Sequence, residues 1–136
     1  MKKGKMFDLS MFVLRAVIGI IFAAHGSQKL FGMFGGIGID GTVKMVEALG
    51  FLTSSYLIAV VWGCIEFVGG IFMILGILSR WAAFSIVLTI IIQLWKINLS
   101  YGFFIQNSGI EHNLLIIAAC IPIVLLGGGN WSVWDA

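Results

Sequence analysis

Residues 9–31 read LSMFVLRAVIGIIFAAHGSQKLF, an apolar run broken only by Arg15, His25 and Lys29 among its titratable groups. At about 1.5 Å of rise per residue, a helix of this length crosses a hydrocarbon core of about 30 Å. The run therefore decides the fold class, and predicts an all-α membrane protein. An ionised side chain at the centre of a membrane helix costs roughly 2.5 to 3.5 kcal/mol on insertion scales, so these groups should face protein rather than lipid. Their spacing agrees: Arg15, Gly19, Phe22, Gly26 and Lys29 recur at steps of four, three, four and three along one stripe, and His25 flanks it.

Composition extends this reading to the whole chain. The 136 residues are 60% hydrophobic with a mean hydropathy of +1.10, and only 10% are charged, against about 25% in a soluble globule. One domain covering 1–136 is expected, with spans at about 9–31, 52–78, 81–97 and 110–126 forming a four-helix bundle. Between spans one and two, the glycine-rich segment 33–41 reads as a loop. Asp40 then caps a short amphipathic helix over 42–49, with Val43, Val46 and Leu49 on one side and Gly50 as its stop. Ser79 and Arg80 form a tight turn that makes spans two and three antiparallel neighbours. A polar loop, 98–109, precedes the fourth span, where Pro122 is a candidate kink. Trp131 and Trp134 in the tail suit a membrane interface.

Lys2, Lys3 and Lys5 precede the first apolar run, but no A-x-A cleavage pattern follows it, so an uncleaved first helix is expected. Four spans place both termini on one side, and the positive-inside rule makes that side cytoplasmic, together with Arg80. The net charge of +2 is too small and scattered for a nucleic-acid partner. Cys64 and Cys120 lie singly, without C-x-x-C or metal-ligand spacing, and read as buried small hydrophobes.

Function is sought where polar groups interrupt the apolar runs. Span two carries Ala59, Trp62, Gly63, Glu66, Gly69, Gly70 and Met73 on one face, the expected partner of the span-one stripe, with glycines allowing close approach. Span three presents Ala82, Ser85, Thr89, Gln93 and Lys96 at helical spacing, expected to face inward; Glu111 and Asn113 open span four. The bundle is thus predicted to enclose a polar interior. Arg15 and Glu66 read either as an ion pair or hydrogen-bonded anchors that fix helix register, or, for Glu66, as a carboxyl able to exchange a proton. His25 either bonds a backbone carbonyl or contacts a ligand, and Glu111 is either an anchor or a cavity acid. Lys29 and Lys96 read as snorkelling anchors, with ligand contact the alternative for Lys29. A haem held by His25 and His112 finds little support, because no C-x-x-C-H occurs and nothing fixes their distance. Trp62, Trp81 and Trp95 read as packing or interface residues.

These residues also carry a resemblance. Arg15, Gly19, Phe22 and the run HGSQKLFG at 25–32, followed by EFVGG at 66–70, Gly76, Arg80, Ala82, Ala83, Glu111, Leu114, Leu115 and the glycines 127–129 with Ser132 and Asp135, resemble the DoxX family over nearly the whole chain. The H-G-x-x-K-L-F-G and E-x-x-G-G segments are the specific part; the glycine-rich tail alone is weak. Relatives commonly end in serine, one apolar residue and aspartate, whereas Val133 and Trp134 both intervene here, so no role is carried over to the tail.

The resemblance implies a four-helix bacterial inner-membrane protein. It also implies redox work, since related subunits belong to thiosulfate:quinone oxidoreductases and others accompany enzymes handling quinones, catechols, thiols or oxidative stress. Taken with the intramembrane residues, it leads us to expect a membrane subunit that binds a quinone or another small hydrophobic redox molecule in a polar cavity, within a redox or detoxification system. His25 and Lys29 would contact ring oxygens, Glu66 and Glu111 would handle protons, Arg15 would organise the inner half, and Gln93 would complete the site. No nucleotide-binding motif or cysteine pair supports unaided electron transfer, so a redox-enzyme partner is expected. The competing readings are a noncatalytic scaffold or assembly factor for redox enzymes, and a proton-linked transporter, for which the paired broken helices of many transporters are missing. The small-residue faces serve packing within the bundle or between protomers of a homo-oligomer.

Overall fold

The computed structural model describes residues 3–51 and 54–134. Helix α1, Lys3–Phe31, is followed by the short α2, Gly38–Ala48, then α3, Ser55–Leu75, α4, Ser79–Gln93, and α5, Glu111–Leu126. Among the described residues there is no strand, only an isolated parallel bridge between Ile77 and Trp134. Three helical stretches, Gly4–Phe31, Ser55–Leu75 and Ser79–Tyr101, are long and apolar enough to cross a membrane, and their outward faces expose Val17, Ile20, Leu57, Val61, Leu88 and Ile92. Such faces are stable only in lipid, and the chain is a multi-pass membrane protein. Helix α5 is apolar but shorter, about 24 Å at 1.5 Å per residue.

The closest packing joins α1 to α3, as their complementary faces predict. Arg15, Gly19, Phe22 and Gly26 are all buried, and so are Ala59, Gly63, Glu66, Gly69, Gly70 and Met73 opposite. Backbone meets backbone here: a Cβ built on Gly70 would lie 2.6 Å from the Gly19 carbonyl oxygen. Without a hydrophobic drive between helices in lipid, this approach supplies the dispersion contacts that hold the pair together. Ile86, Ile90, Ile116, Cys120 and Ile123 continue the core between α4 and α5. Helix α2 folds back over α1 and α3, burying Val46 and placing the Thr42 hydroxyl 3.0 Å from the Lys29 carbonyl and 2.8 Å from that of Gly38.

Several boundaries differ from expectation, each for a local reason. The glycine-rich segment is only partly a loop, because α2 already begins at Gly38; Asp40 lies in its first turn, where it complements the helix dipole, and does not cap it. The connection between α3 and α4 is made by Gly76, Ile77 and Leu78. Gly76 takes the left-handed conformation, φ +73°, that closes α3, its N–H bonding the Phe72 carbonyl, and α4 starts at Ser79. Ser54 caps α3 by accepting from the Leu57 N–H, and the expected start of this span at position 52 lies outside the described residues. Beyond Gln93 the helix widens into a π-helical turn, Leu94–Asn98, before a 3₁₀ turn, Leu99–Tyr101. The polar stripe of this span faces inward only in part: Thr89 is buried, but Lys96 is exposed. Cys120 is buried as expected, whereas Cys64 is exposed on the outer face of α3.

Candidate functional site

The polar interior condenses around one carboxylate. Glu66, at the middle of α3, has a side chain 2% exposed, and three helices supply its partners. From α1, Lys29 Nζ donates to Oε2 at 2.7 Å. Within α3, Trp62 Nε1 donates to Oε1 at 3.1 Å, from one turn earlier on the same face. From α4, Gln93 Nε2 donates to the same oxygen at 3.1 Å. The ammonium of Lys29 also lies 4.7 Å from the centroid of the Trp62 ring, a cation–π contact. Removing one member of such a buried pair strands the other, a loss of about 3 to 5 kcal/mol.

His25 lies one helical turn before Lys29, half-buried, with its ring 6.1 Å from that of Phe22. It is near enough to Lys29, Glu66 and His112 to feel their charges, and its ring bonds the backbone of Ile21. The structure thus brings together four of the predicted site residues, His25, Lys29, Glu66 and Gln93. It adds Trp62, which sequence reasoning treated as packing. A usable signal was present: a tryptophan four residues before a buried carboxylate needs a partner for its indole N–H.

Arg15 lies elsewhere. It is fully buried, donates to the backbone carbonyls of Met73, at 3.1 Å, and Trp131, and does not pair with Glu66. Beside it Asp8 accepts from the Asn130 backbone N–H at 3.0 Å and from its side-chain amide at 3.4 Å. The tail continues along the end of α3, with Val133 N–H to the Leu75 carbonyl at 3.0 Å and Trp134 N–H to that of Gly76 at 3.1 Å. Together these contacts clasp the tail to the start of α1 and the turn between α3 and α4. Glu111 is separate again: its carboxylate accepts from the Ile105 N–H at 2.9 Å and ties the preceding loop to the start of α5.

An open space lies next to the Glu66 cluster, not at it. The polar groups are packed against one another, and a cavity of about 290 Å³ opens between α3 and α4, walled by Leu57, Ile58, Val61, Ile65, Thr89 and Ile92. Its lining includes Trp62 and Gln93, so both side chains touch the cavity and hydrogen-bond Glu66. Lys96 and Ile97, on the π-helical turn, line it as well. π turns inside helices are found frequently at functional sites. Among the described residues, no group of three or more His, Cys, Asp or Glu side chains is placed to hold a metal ion.

The chain is 28% identical over 125 residues, 91% of its own length and 84% of the relative's, to CatD of Bacillus subtilis (strain 168), provisionally named an oxidoreductase. No solved structure matches it significantly. Residues 10–99, which span most of α1 and all of α2 to α4 and hence include Lys29, Trp62, Glu66 and Gln93, match the DoxX family, and the chain belongs to that family.

Proposed function

We propose that this protein is a membrane subunit that binds a quinone, or another small hydrophobic redox molecule, in the cleft between α3 and α4. One observation carries the reading: Trp62 and Gln93 line the apolar cleft while they hold Glu66 from behind. Apolar walls with a few convergent polar groups suit a small-molecule site, and about 290 Å³ lies near the lower end of the usual range of roughly 300 to 1,000 Å³. Exposed Leu57, Val61 and Ile92 at its margin allow entry sideways from lipid.

Gln93 suits both redox states of such a ligand. Its amide has two N–H donors and a carbonyl acceptor, and one N–H serves Glu66. The remaining N–H can donate to a ring carbonyl, and the carbonyl can accept from a ring hydroxyl. Glu66 then stands one side chain from the ligand as the group that takes or gives a proton, with Lys29 balancing its charge and His25 at the edge of the same cluster. Electrons are supplied by a partner redox enzyme. In this reading Arg15 and Glu111 hold the frame and do not touch the ligand.

The proposed setting is the bacterial inner membrane, with α5 as a fourth span and both termini cytoplasmic. The clasp supports that topology, since it gathers the start of α1, the α3–α4 turn and the tail, and with them Lys5 and Arg80, at one end. The test is a thermal-shift titration of purified protein with short-chain ubiquinone and menaquinone analogues. A rise in Tm that Gln93→Leu abolishes, without loss of fold, supports the reading. No shift with either analogue sinks it, and recovery of redox enzymes in pull-downs that survive Gln93→Leu would favour the noncatalytic scaffold.

A further inference from the structure

Lys96 distinguishes the outer end of the cleft from its floor. Its ammonium is exposed and lies 4.7 Å from the centroid of the Trp95 ring and 5.3 Å from that of Phe51. Phe51 and Lys96 both line the cleft. Among the described residues the one ion pair is Lys29–Glu66, so no described carboxylate neutralises Lys96. Two aromatic faces fix the ammonium but supply only part of what a counter-ion would at an exposed site. A cation held in place at the mouth of an apolar cleft is complementary to a molecule with an apolar body and an anionic head.

From this geometry we infer that the cleft is a binding site for a single-chain amphiphile with a carboxylate head, the head on Lys96 and the chain running inward past Val61 toward Trp62. Size and charge select this occupant. A cleft of about 290 Å³ takes one alkyl chain and not the two of a diacyl phospholipid, and one ammonium matches one carboxylate. The depth is also right: Lys96 is three residues beyond Gln93, about 4.5 Å along the helix, so a head on Lys96 leaves the Gln93 end of the cleft to the chain. This inference shares the cleft with the redox reading but does not require the ligand to be redox-active. It further implies that such an acid and a quinone compete.

The experiment is equilibrium binding of radiolabelled myristate to the full chain in a neutral detergent. Saturable binding is expected, weakened by Lys96→Met about tenfold or more, the size of one charge-assisted hydrogen bond. Lys96→Arg should retain it, and Lys44→Met, a change at another exposed lysine, should leave it untouched. Val61→Trp, which fills the cleft, should abolish it. Unlabelled myristyl alcohol should compete poorly. Equal binding by wild type and Lys96→Met overturns the inference, and so does competition by the alcohol as strong as by the acid. Stronger competition by phosphatidylglycerol than by myristate also overturns it, assigning the head to a lipid phosphate. Saturable, Lys96-dependent myristate binding in a protein that shows no quinone-induced Tm rise sinks only the redox reading, and a quinone-induced Tm rise without such myristate binding sinks only this inference, so either proposal can fail while the other stands.

Discussion

The two ends of this bundle bury charge in opposite ways. At one end Arg15 donates to the backbone carbonyls of Met73 and Trp131, while Asp8 holds the Asn130 backbone and side chain. Around Glu66 the partners are three side chains from three helices, two of which also face a cavity. Carbonyls cannot move without moving the fold, so the Arg15 end is a fastening. Side chains can exchange partners by rotating, so the Glu66 end can respond to a ligand. The difference teaches that the cost of a buried charge is a poor guide to its task; the mobility of what satisfies it is a better one.

The largest expected effect tests the Glu66 end. Lys29→Met leaves a buried carboxylate with only neutral donors, a loss of about 3 to 5 kcal/mol. Unfolding in mixed micelles should show it as a marked fall in Tm. Adding Glu66→Gln should restore most of that loss, because an amide in place of the carboxylate needs no cation. If the double variant is no more stable than Lys29→Met, the pair is not the centre of this cluster.

Arg15→Met should follow closely, since it orphans two carbonyls at about 1 to 3 kcal/mol each. No substitution at Met73 or Trp131 should rescue it, because the acceptors there are backbone carbonyls. What remains folded should still bind the quinone analogue, which separates the two ends. Loss of binding in the folded fraction would join them into one site.

How much of this was readable in the sequence follows the same division. The α1 and α3 faces were legible because a 3.6-residue period sorts side chains by face, and glycines opposite one another announce close approach. Lys29, Glu66 and Gln93 could be nominated because each is costly in lipid. Periodicity does not give rotation or depth between helices, and so the choice of Lys29 over Arg15 as the partner of Glu66 was out of reach. Nor could it reveal the Asp8–Asn130 contact, which spans 122 positions, or the π turn that carries Lys96, where the helical period itself changes. The cavity was expected to be polar because polar residues pointed inward; they satisfied one another instead, and the open volume fell to their apolar neighbours.

Between the two ends, Gly70→Ala probes the seam that joins them. The added methyl would lie 2.6 Å from the Gly19 carbonyl oxygen, so α1 and α3 must part, at about 1 to 3 kcal/mol. Because Lys29 reaches Glu66 across this seam, the quinone-induced Tm rise should shrink along with the basal Tm. Gly4→Ala, whose added methyl meets nothing within 4 Å, should do neither. A Gly70→Ala protein of unchanged Tm would mean that the two helices do not meet by their backbones.

The smallest effect is expected at Asp8. In Asp8→Asn one oxygen remains to accept from the Asn130 backbone, while the new amide faces the Asn130 side-chain amide, so one hydrogen bond of about 0.5 to 1.5 kcal/mol is lost. Basal stability should fall only slightly, because Arg15 and the backbone bonds at Val133 and Trp134 still hold the tail. Local opening should rise more than global unfolding does, since a tail freed of one fastening frays before the bundle melts. Hydrogen exchange at Asn130 and Val133 should therefore accelerate, with exchange in the middle of α3 and quinone binding unchanged. Should Asp8→Asn instead weaken binding at the far cleft, the clasp would be part of the mechanism and the contrast between the two ends would dissolve.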